Sequence, residues 1–240
     1  MRPLAASHAP KVGVLSLQGD FACHRASLES LGVEARRVTL PRDLEGLEAI
    51  VLPGGESTTM LRLLAATGLR APLEAFVRER PVLGTCAGVI LLGHGAAGLP
   101  APPLAVLDVA VERNAYGRQI DSFQAELFAP VVGGAFHGVF IRAPRILRVG
   151  EGVEVVARRW NERGSEKGGE PMGEPVGVRA GRVVGLCFHP ELTSDLRFHR
   201  WFLTEVGGLR LPASEAPAGP AAVGPPSVRQ GAASTQGGAA

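Results

Sequence analysis

The first third of the chain shows two hydrophobic periodicities in turn, which predicts strands followed by helices. The predicted strands are short apolar runs rich in β-branched residues, at 11–17, 33–38, 49–52 and 81–83. The predicted helices cover 20–31, a segment from Ser57 or Thr58 to Leu64, 72–80 and 89–93. Strands that alternate with helices at this spacing favour a parallel sheet covered by helices on both faces.

The pattern changes in the second half of the chain. From 104 to 188 the apolar runs are typical of strands and no long helical pattern separates them, so antiparallel strands are expected. Runs at 176–179 and 182–188 predict a hairpin, and the polar, Gly-rich stretch 161–175 predicts an exposed loop. The predicted fold class is therefore α/β: a three-layer sandwich with a mostly parallel central sheet and added antiparallel strands.

A last helix is expected near the end of this region. Thr193 or Ser194 would cap its start, and it would run to Val206 before the Gly207-Gly208 pair. The folded domain is then predicted to span 11–210, after a flexible segment 1–10. The segment 211–240 contains nineteen Ala, Gly or Pro residues and is expected to be a disordered tail.

Composition and charge narrow the classes of function. Of 240 residues, 45% are hydrophobic and 20% charged, which is typical of a globular protein. A net charge of +2 gives no electrostatic signal for nucleic acid, so no nucleic-acid partner is expected. No apolar run approaches the roughly 20 residues of a spanning helix, and the first ten residues do not resemble a secretory signal. A cytoplasmic protein without membrane contact is predicted.

The segment GTCAG, residues 84–88, has the G-x-nucleophile-x-G form of a nucleophile elbow. It would present the Cys86 sulfur in a sharp turn between a strand and a helix, where the helix favours the thiolate. The Ala87 backbone N–H could then donate to a developing oxyanion. The alternative is a small buried cysteine in a Gly-rich turn, and three cysteines cannot all pair in one chain.

The segment FHPE, residues 188–191, follows the last predicted strand. In an extended segment, residues two apart point to the same side, so the Glu191 carboxylate is expected to reach the His189 ring. His189 would take the proton of Cys86, and Glu191 would orient the imidazole. The alternative is a surface His-Glu pair at a helix entrance, but a cysteine elbow elsewhere in the chain favours a catalytic set.

The segment PGGEST, residues 53–58, also lies between a strand and a helix. The Gly54-Gly55 turn exposes backbone N–H groups, and Gly55 could supply a second oxyanion donor. The alternative, which is compatible with this role, is a simple turn with Ser57 or Thr58 as the helix cap. No Lys follows the glycines, so the segment is not a Walker phosphate loop.

Other motifs carry weaker signals. GHGAAG, residues 93–98, spells G-x-G-x-x-G, but it follows a helix and is better interpreted as a helix stop than as a dinucleotide site. Cys187 with His189 is too small a set for zinc, so no metal site is predicted. Cys23, His24 and His199 are expected to be packing or surface residues on amphipathic helices.

Together, the elbow, the HPE ending and the PGGEST loop resemble those of class I glutamine amidotransferases. Further segments are similar to the glutaminase subunits of pyridoxal 5′-phosphate synthases over residues 11–206. These segments are LSLQGD at 15–20, PGGESTTM at 53–60, GTCAGVILL at 84–92, ERNAYGRQIDSF at 112–123, GVFIRAP at 138–144 and FHPELT at 188–193.

The resemblance implies hydrolysis of L-glutamine to glutamate and ammonia, without a cofactor. The ammonia would pass to a partner synthase that forms a dodecameric core and builds pyridoxal 5′-phosphate. By motif, Cys86 is the nucleophile, His189 the base and Glu191 the third member of a triad. The implied glutamine contacts are Gly54, Gly55, Glu56, Arg113, Ile141 and Arg142, and the implied oxyanion donors are Gly55 and Ala87.

Two alternatives remain open from the residues alone. A γ-glutamyl hydrolase or related cysteine peptidase shares the elbow and the base. A non-catalytic regulatory subunit would carry a disabled site, and the intact Cys-His-Glu set argues against it.

Overall fold

A computed structural model of the chain describes residues 8–19, 21–113, 115, 122–160 and 173–212. Its helices, in chain order, are α1 Phe21–Ser30, α2 Ser57–Ala66, α3 Arg70–Glu79, α4 Ala87–Leu92 and α5 Arg197–Trp201. A π-helical turn, Phe202–Val206, continues α5. The helices predicted in the first half are therefore present, with ends that differ by one to two residues.

The strands form two sheets. In chain order they are β1 Lys11–Leu15, β2 Glu34–Val38, β3 Ala49–Leu52, β4 Val82–Thr85, β5 Gly93–Gly95, β6 Leu107–Glu112, β7 Ser122–Ala129, β8 Gly134–Ile141, β9 Arg145–Val149, β10 Glu154–Arg159, β11 Glu174–Ala180 and β12 Val183–Leu186. The large sheet has nine strands in the order β2-β1-β3-β4-β12-β11-β10-β7-β8. The small sheet has the order β5-β6-β9.

One half of the large sheet is parallel, as predicted. Strands β2, β1, β3, β4 and β12 are parallel to one another. Every residue of β3, β4 and β12 is buried. Near-continuous apolar runs are typical of parallel strands that are covered on both faces.

The side chains of β4 show that helices cover both faces. A Cβ on Gly84 would lie 2.6 Å from Leu92 of α4. The next residue, Thr85, bonds His24 of α1, with 3.0 Å between Oγ1 and Nε2. Because successive side chains of a strand point to opposite faces, α1 and α4 lie on opposite sides of the sheet. This is the predicted three-layer arrangement.

The other half of the large sheet is antiparallel, which confirms the change of pattern expected after residue 104. Strands β11, β10, β7 and β8 each run antiparallel to their neighbours. Four buried aromatic rings pack between this half and α5 in tilted and edge-on pairs with centroids 4.7–5.8 Å apart. They are Phe136, Phe140, Phe188 and Phe198.

Two helix starts differ from the prediction. The N-cap of α2 is Glu56, whose carboxylate accepts the N–H groups of Thr58 at 3.0 Å and Thr59 at 2.6 Å. A charged carboxylate therefore takes the role expected of Ser57 or Thr58.

The last helix begins at Arg197 and not after Thr193 or Ser194. The Asp195 carboxylate accepts the Arg197 N–H at 3.0 Å, and the Thr193 hydroxyl is used in the preceding turn.

The loop and the second sheet also depart from expectation. The predicted loop at 161–175 ends too late, because β11 begins at Glu174; residues 161–172 lie outside the described residues. GHGAAG begins with Gly93 as the predicted stop of α4, but its first three residues also form β5. That short strand carries no apolar pattern that would have predicted it.

The predicted flexible start and disordered tail lie largely outside the described residues, which leave out 1–7 and 213–240. Among the helices that are described, none is long and apolar enough to cross a membrane.

Candidate active site

Cys86 occupies a strained turn between β4 and α4. Its backbone has φ 49° and ψ −105°, a left-handed region that residues other than glycine rarely adopt. The turn is tight: a Cβ on Gly84 would lie 2.7 Å from the Gly88 backbone, and one on Gly88 would overlap the carbonyl of Leu52. The flanking glycines therefore permit the turn that places the cysteine at the carboxyl end of a central strand.

His189 and Glu191 form a buried pair just beyond β12. His189 Nδ1 lies 2.7 Å from Glu191 Oε1, and neither side chain is more than 9% exposed. The contact is made through a 3₁₀ turn, Pro190–Leu192, and not along the extended segment used to predict it. The backbone N–H of His189 donates to the Val139 carbonyl of β8 at 2.8 Å, which anchors the histidine to the antiparallel half.

The side chains of Cys86 and His189 both lie next to Gly54. A Cβ built on Gly54 would lie 3.3 Å from Cys86 Cβ and 3.2 Å from His189 Nδ1. Both side chains line one cavity of about 250 Å³. His189 Nε2 is buried and forms no hydrogen bond to any other described residue, so this nitrogen is available to the cavity. The Cys86 thiol donates to the Ile141 carbonyl, with 3.7 Å from sulfur to oxygen.

The electrostatics favour a cationic His189. Burial lowers the pKa of His189, but its interactions with the nearby Cys86 and Glu191 raise it to about 10. Burial would raise the pKa of Glu191, yet the neighbouring His24 and His189 rings hold it well below its usual range. An anionic carboxylate and a protonated imidazole at neutral pH suit a site in which a thiolate attacks.

The Gly54-Gly55 loop is held against the loop that follows β1. The Glu56 backbone N–H donates to Gln18 Oε1 at 3.0 Å. A Cβ on Gly19 would overlap the Gly54 carbonyl. Only residues without a Cβ at these points allow the two loops to approach so closely, and that approach brings Gly54 against the His189 ring.

Glu56 and Arg113 form one polar wall of the cavity. Arg113 Nη2 lies 3.4 Å from Glu56 Oε1 and 3.2 Å from Thr58 Oγ1. Although burial raises the pKa of Glu56, hydrogen bonds from Thr59 and Thr58 lower it to about 2. Glu56 is therefore an anion at neutral pH, in addition to its role as the cap of α2.

Ile141 and Arg142 form the opposite wall, at the end of β8. Both line the cavity, and Arg142 has a positive φ of 42°. The cavity thus brings together Cys86, His189 and all six residues predicted to contact glutamine. Ala87 and Glu191 are buried beside it but do not line it.

Residues 14–207 match the model of the SNO glutamine amidotransferase family. The chain belongs to this family. Similar curated proteins include the pyridoxal 5′-phosphate synthase subunit PdxT of Thermus thermophilus, which is 50% identical over 199 residues covering 82% of this chain and 97% of the relative. PdxT of Geobacillus kaustophilus is 46% identical over 205 residues, covering 85% of this chain and 98% of the relative.

Among solved structures, a crystal structure of a glutamine amidotransferase matches with a TM-score of 0.72 at 47% identity, covering 82% of this chain and 99% of that one. Membership of the SNO family confirms the resemblance deduced from the motifs. The fold prediction is confirmed as well.

Several residues near this SNO family site, or the contacts they make, were missed in the sequence. Gly19 and Ser57 line the cavity, and the only signal for Gly19 was its place in LSLQGD. His24 and His199, expected to be packing or surface residues, are fully buried and lie 3.0 Å apart, Nδ1 to Nε2. Burial and the nearby His24, opposed by Glu191, lower the pKa of His199 to about 3. No local spacing could have revealed this contact.

Proposed function

We propose that this chain, as the glutaminase subunit of a pyridoxal 5′-phosphate synthase, hydrolyses L-glutamine with Cys86 as the nucleophile. His189 is the general acid and base, and Glu191 orients its ring. The observation that carries the proposal is the shared cavity, in which the strained Cys86 turn and the His189 ring both lie against Gly54.

The first half of the reaction releases ammonia. The Cys86 thiolate attacks the side-chain amide carbon of glutamine, and the carbonyl oxygen becomes an oxyanion. The backbone N–H groups of Ala87 and Gly55 are the proposed donors to that oxygen. The His189 imidazolium gives its proton to the amide nitrogen, the C–N bond breaks, and ammonia leaves a thioester on Cys86.

The second half regenerates the enzyme. Neutral His189 takes a proton from water, and the resulting hydroxide attacks the thioester carbon. The C–S bond breaks, the sulfur leaves as thiolate beside the re-formed imidazolium, and glutamate is released. Glu191 keeps its negative charge throughout and stabilises the cationic state of His189.

The cavity walls suit the amino-acid end of the substrate. A guanidinium binds a carboxylate through two parallel hydrogen bonds, so Arg113 and Arg142 are proposed to hold the α-carboxylate. Glu56, with its low pKa, can pair with the α-ammonium. Gly54, Gly55 and Ile141 would contact the rest of the substrate through backbone groups, as the carbonyl of Ile141 already contacts the cysteine.

The partner is proposed from the relatives' shared name. PdxT proteins are subunits of pyridoxal 5′-phosphate synthase. We therefore expect this chain to deliver its ammonia to a synthase subunit in the cytoplasm, and that subunit to assemble as a dodecameric core.

Ammonia release from glutamine, with and without the synthase subunit, tests this function. The wild-type chain should release ammonia faster when the synthase is present, and Cys86→Ala should lose release while still binding the synthase. Cys187→Ala is the matched control, because Cys187 is buried and lies outside the cavity lining. Unchanged release by Cys86→Ala would refute the nucleophile. Turnover of γ-glutamyl peptides without a partner would favour a hydrolase instead.

A further inference from the structure

Glu191 has a second neighbour on the side away from the cavity. Its Oε1 bonds His189, while its Oε2 lies 3.3 Å from His24 Nε2 on α1. Oε2 forms no well-aligned hydrogen bond with any described residue, so its approach to His24 Nε2 is a polar contact and not a hydrogen bond. Both Glu191 and His24 have fully buried side chains, so water does not replace this contact from bulk solvent. A carboxylate held at only one oxygen could rotate, and His24 is placed to prevent that.

Two further buried groups complete the surroundings of His24. Its Nε2 also lies 3.0 Å from Thr85 Oγ1, on the strand that leads into the cysteine turn. Its Nδ1 lies 3.0 Å from His199 Nε2 on α5. Three separate elements, α1, β4 and α5, therefore fix the position of this one imidazole.

The hydrogen-bond pattern determines which nitrogen of His24 carries the proton. The pKa of His199, lowered to about 3, leaves that ring neutral with a single N–H. His199 Nδ1 has no partner among the described residues, and an unpaired buried N–H costs more than an unfilled acceptor. The His199 proton therefore belongs on Nε2 and is donated to His24 Nδ1. His24 then carries its own proton on Nε2, facing Glu191 and Thr85.

We propose that His24 is a positioning residue of the hydrolytic site: its Nε2–H, bonded to Thr85 Oγ1, holds the nearby Glu191 Oε2 by electrostatic attraction, and His199 fixes the tautomer that makes this possible. The inference rests on the proposed function, since it assigns to His24 the task of holding the triad carboxylate. A hydrogen bond on Oε1 and a polar contact on Oε2 restrict rotation of the carboxylate, which in turn aligns the His189 ring with Cys86.

Two substitutions separate this role from packing. His24→Gln keeps an N–H donor near the position of Nε2, whereas His24→Leu keeps an apolar side chain of similar size without a donor. In ammonia-release assays with the synthase present, we expect kcat of His24→Leu to fall about tenfold or more, because His189 loses alignment, with KM within about twofold of wild type. His24→Gln should recover at least about a third of the wild-type kcat.

The controls address folding and the function itself. Leu73→Ala, on α3 and outside the cavity lining, reports what a loss of thermal stability alone does to kcat. Wild-type kcat in His24→Leu, or equal losses in the Leu and Gln variants, would overturn the positioning role. Absence of ammonia release by the wild type would instead refute the proposed function.

A measurement on the wild-type full chain covers the case in which the variants do not fold or no activity is found. Nitrogen-15 NMR of the assigned histidine rings distinguishes a protonated ring nitrogen from an unprotonated one. The expected result is a protonated Nε2 and an unprotonated Nδ1 on His24. The reverse tautomer would overturn the inference whatever the kinetics show.

Discussion

The parallel and antiparallel halves of the nine-stranded sheet contribute to the cavity in different ways. The parallel half supplies the nucleophile from a turn with an unusual backbone, since Cys86 has a positive φ. It also supplies Gly54, whose lack of a Cβ lets the backbone lie against the histidine ring. The antiparallel half supplies a wall through Ile141 and Arg142, and it anchors the backbone of His189 through Val139.

This difference has a physical basis. The carboxyl ends of parallel strands meet at one edge of a sheet, so residues distant in sequence converge there. Antiparallel strands end alternately at both edges, and one of them can extend past the parallel edge as a wall. Substitutions in the parallel half are therefore expected to change the chemical step, and substitutions at the end of β8 to change substrate affinity.

The largest expected effect is the pH dependence of stability at the parallel edge. The pKa of His189 is about 10 in the folded chain, against a reference of about 6.5. Its contribution to the free energy of unfolding is fully present below the unfolded pKa and is lost as pH rises through the folded pKa. Urea unfolding of wild type and His189→Gln should therefore differ by several kcal/mol near pH 6.5, with the gap closing towards pH 10. A constant gap would contradict the buried ion pair.

The second effect tests the close approach at Gly54. An added Cβ in Gly54→Ala would overlap the His189 ring and displace it from Cys86. Ammonia release should fall about 100-fold or more, since small misplacements of a catalytic group are costly. Gly95→Ala is the control, because its Cβ meets no atom within 4 Å. Full activity of Gly54→Ala would show that the ring is not where the chemistry occurs.

The third effect tests the antiparallel wall. Arg142→Ala removes a guanidinium from the cavity, so KM for glutamine should rise about tenfold while kcat changes less. Arg148→Ala on β9 is a matched control, since Arg148 pairs with Asp108 and lies outside this cavity. A loss confined to kcat would instead place Arg142 in the chemical step.

The smallest effect concerns the connection between the halves. Arg197 of α5 donates to the Val132 and Ala135 carbonyls at the start of β8, and the Asp195 carboxylate accepts the Arg197 backbone N–H and holds its side chain. Asp195→Ala should lower the free energy of unfolding by about 1 kcal/mol because these hydrogen bonds are lost, measured by urea titration. Glu151→Ala, in an exposed turn, should leave the free energy of unfolding unchanged, and equal values for both variants would refute this stabilising role of Asp195.

Local sequence signals predicted most of the parallel half. Runs such as AIVL at β3 are fully buried, and glycines end or bend the chain where the pattern stops. The small sheet was missed because β5 is a three-residue strand, GHG, that pairs with a strand which begins twelve residues later. Its formation depends on a distant partner and not on its own composition.

The residues of the site also fall into those predicted from local motifs and those that only the fold brings together. The cysteine turn, the HPE segment and the glycine loop each carry their chemistry within a few residues, so their patterns indicate function before the fold is known. His24 and His199 are 175 positions apart, and only packing of α1 against α5 brings them together. Glu56 was predicted to contact the substrate, and its role as the cap of α2 was missed. Ser57 and Thr58 are residue types that commonly cap helices, and only the backbone geometry shows that Glu56 takes this role.

The central claim is that the Cys86 sulfur and the His189 ring act together on glutamine in one cavity. The most direct measurement is peptide mapping by mass spectrometry after treatment with a diazo-ketone analogue of glutamine. The predicted result is one adduct on Cys86 that competing glutamine prevents and that His189→Gln slows strongly. An adduct on Cys23 or Cys187, or equal labelling of Cys86 with and without His189, would contradict the account.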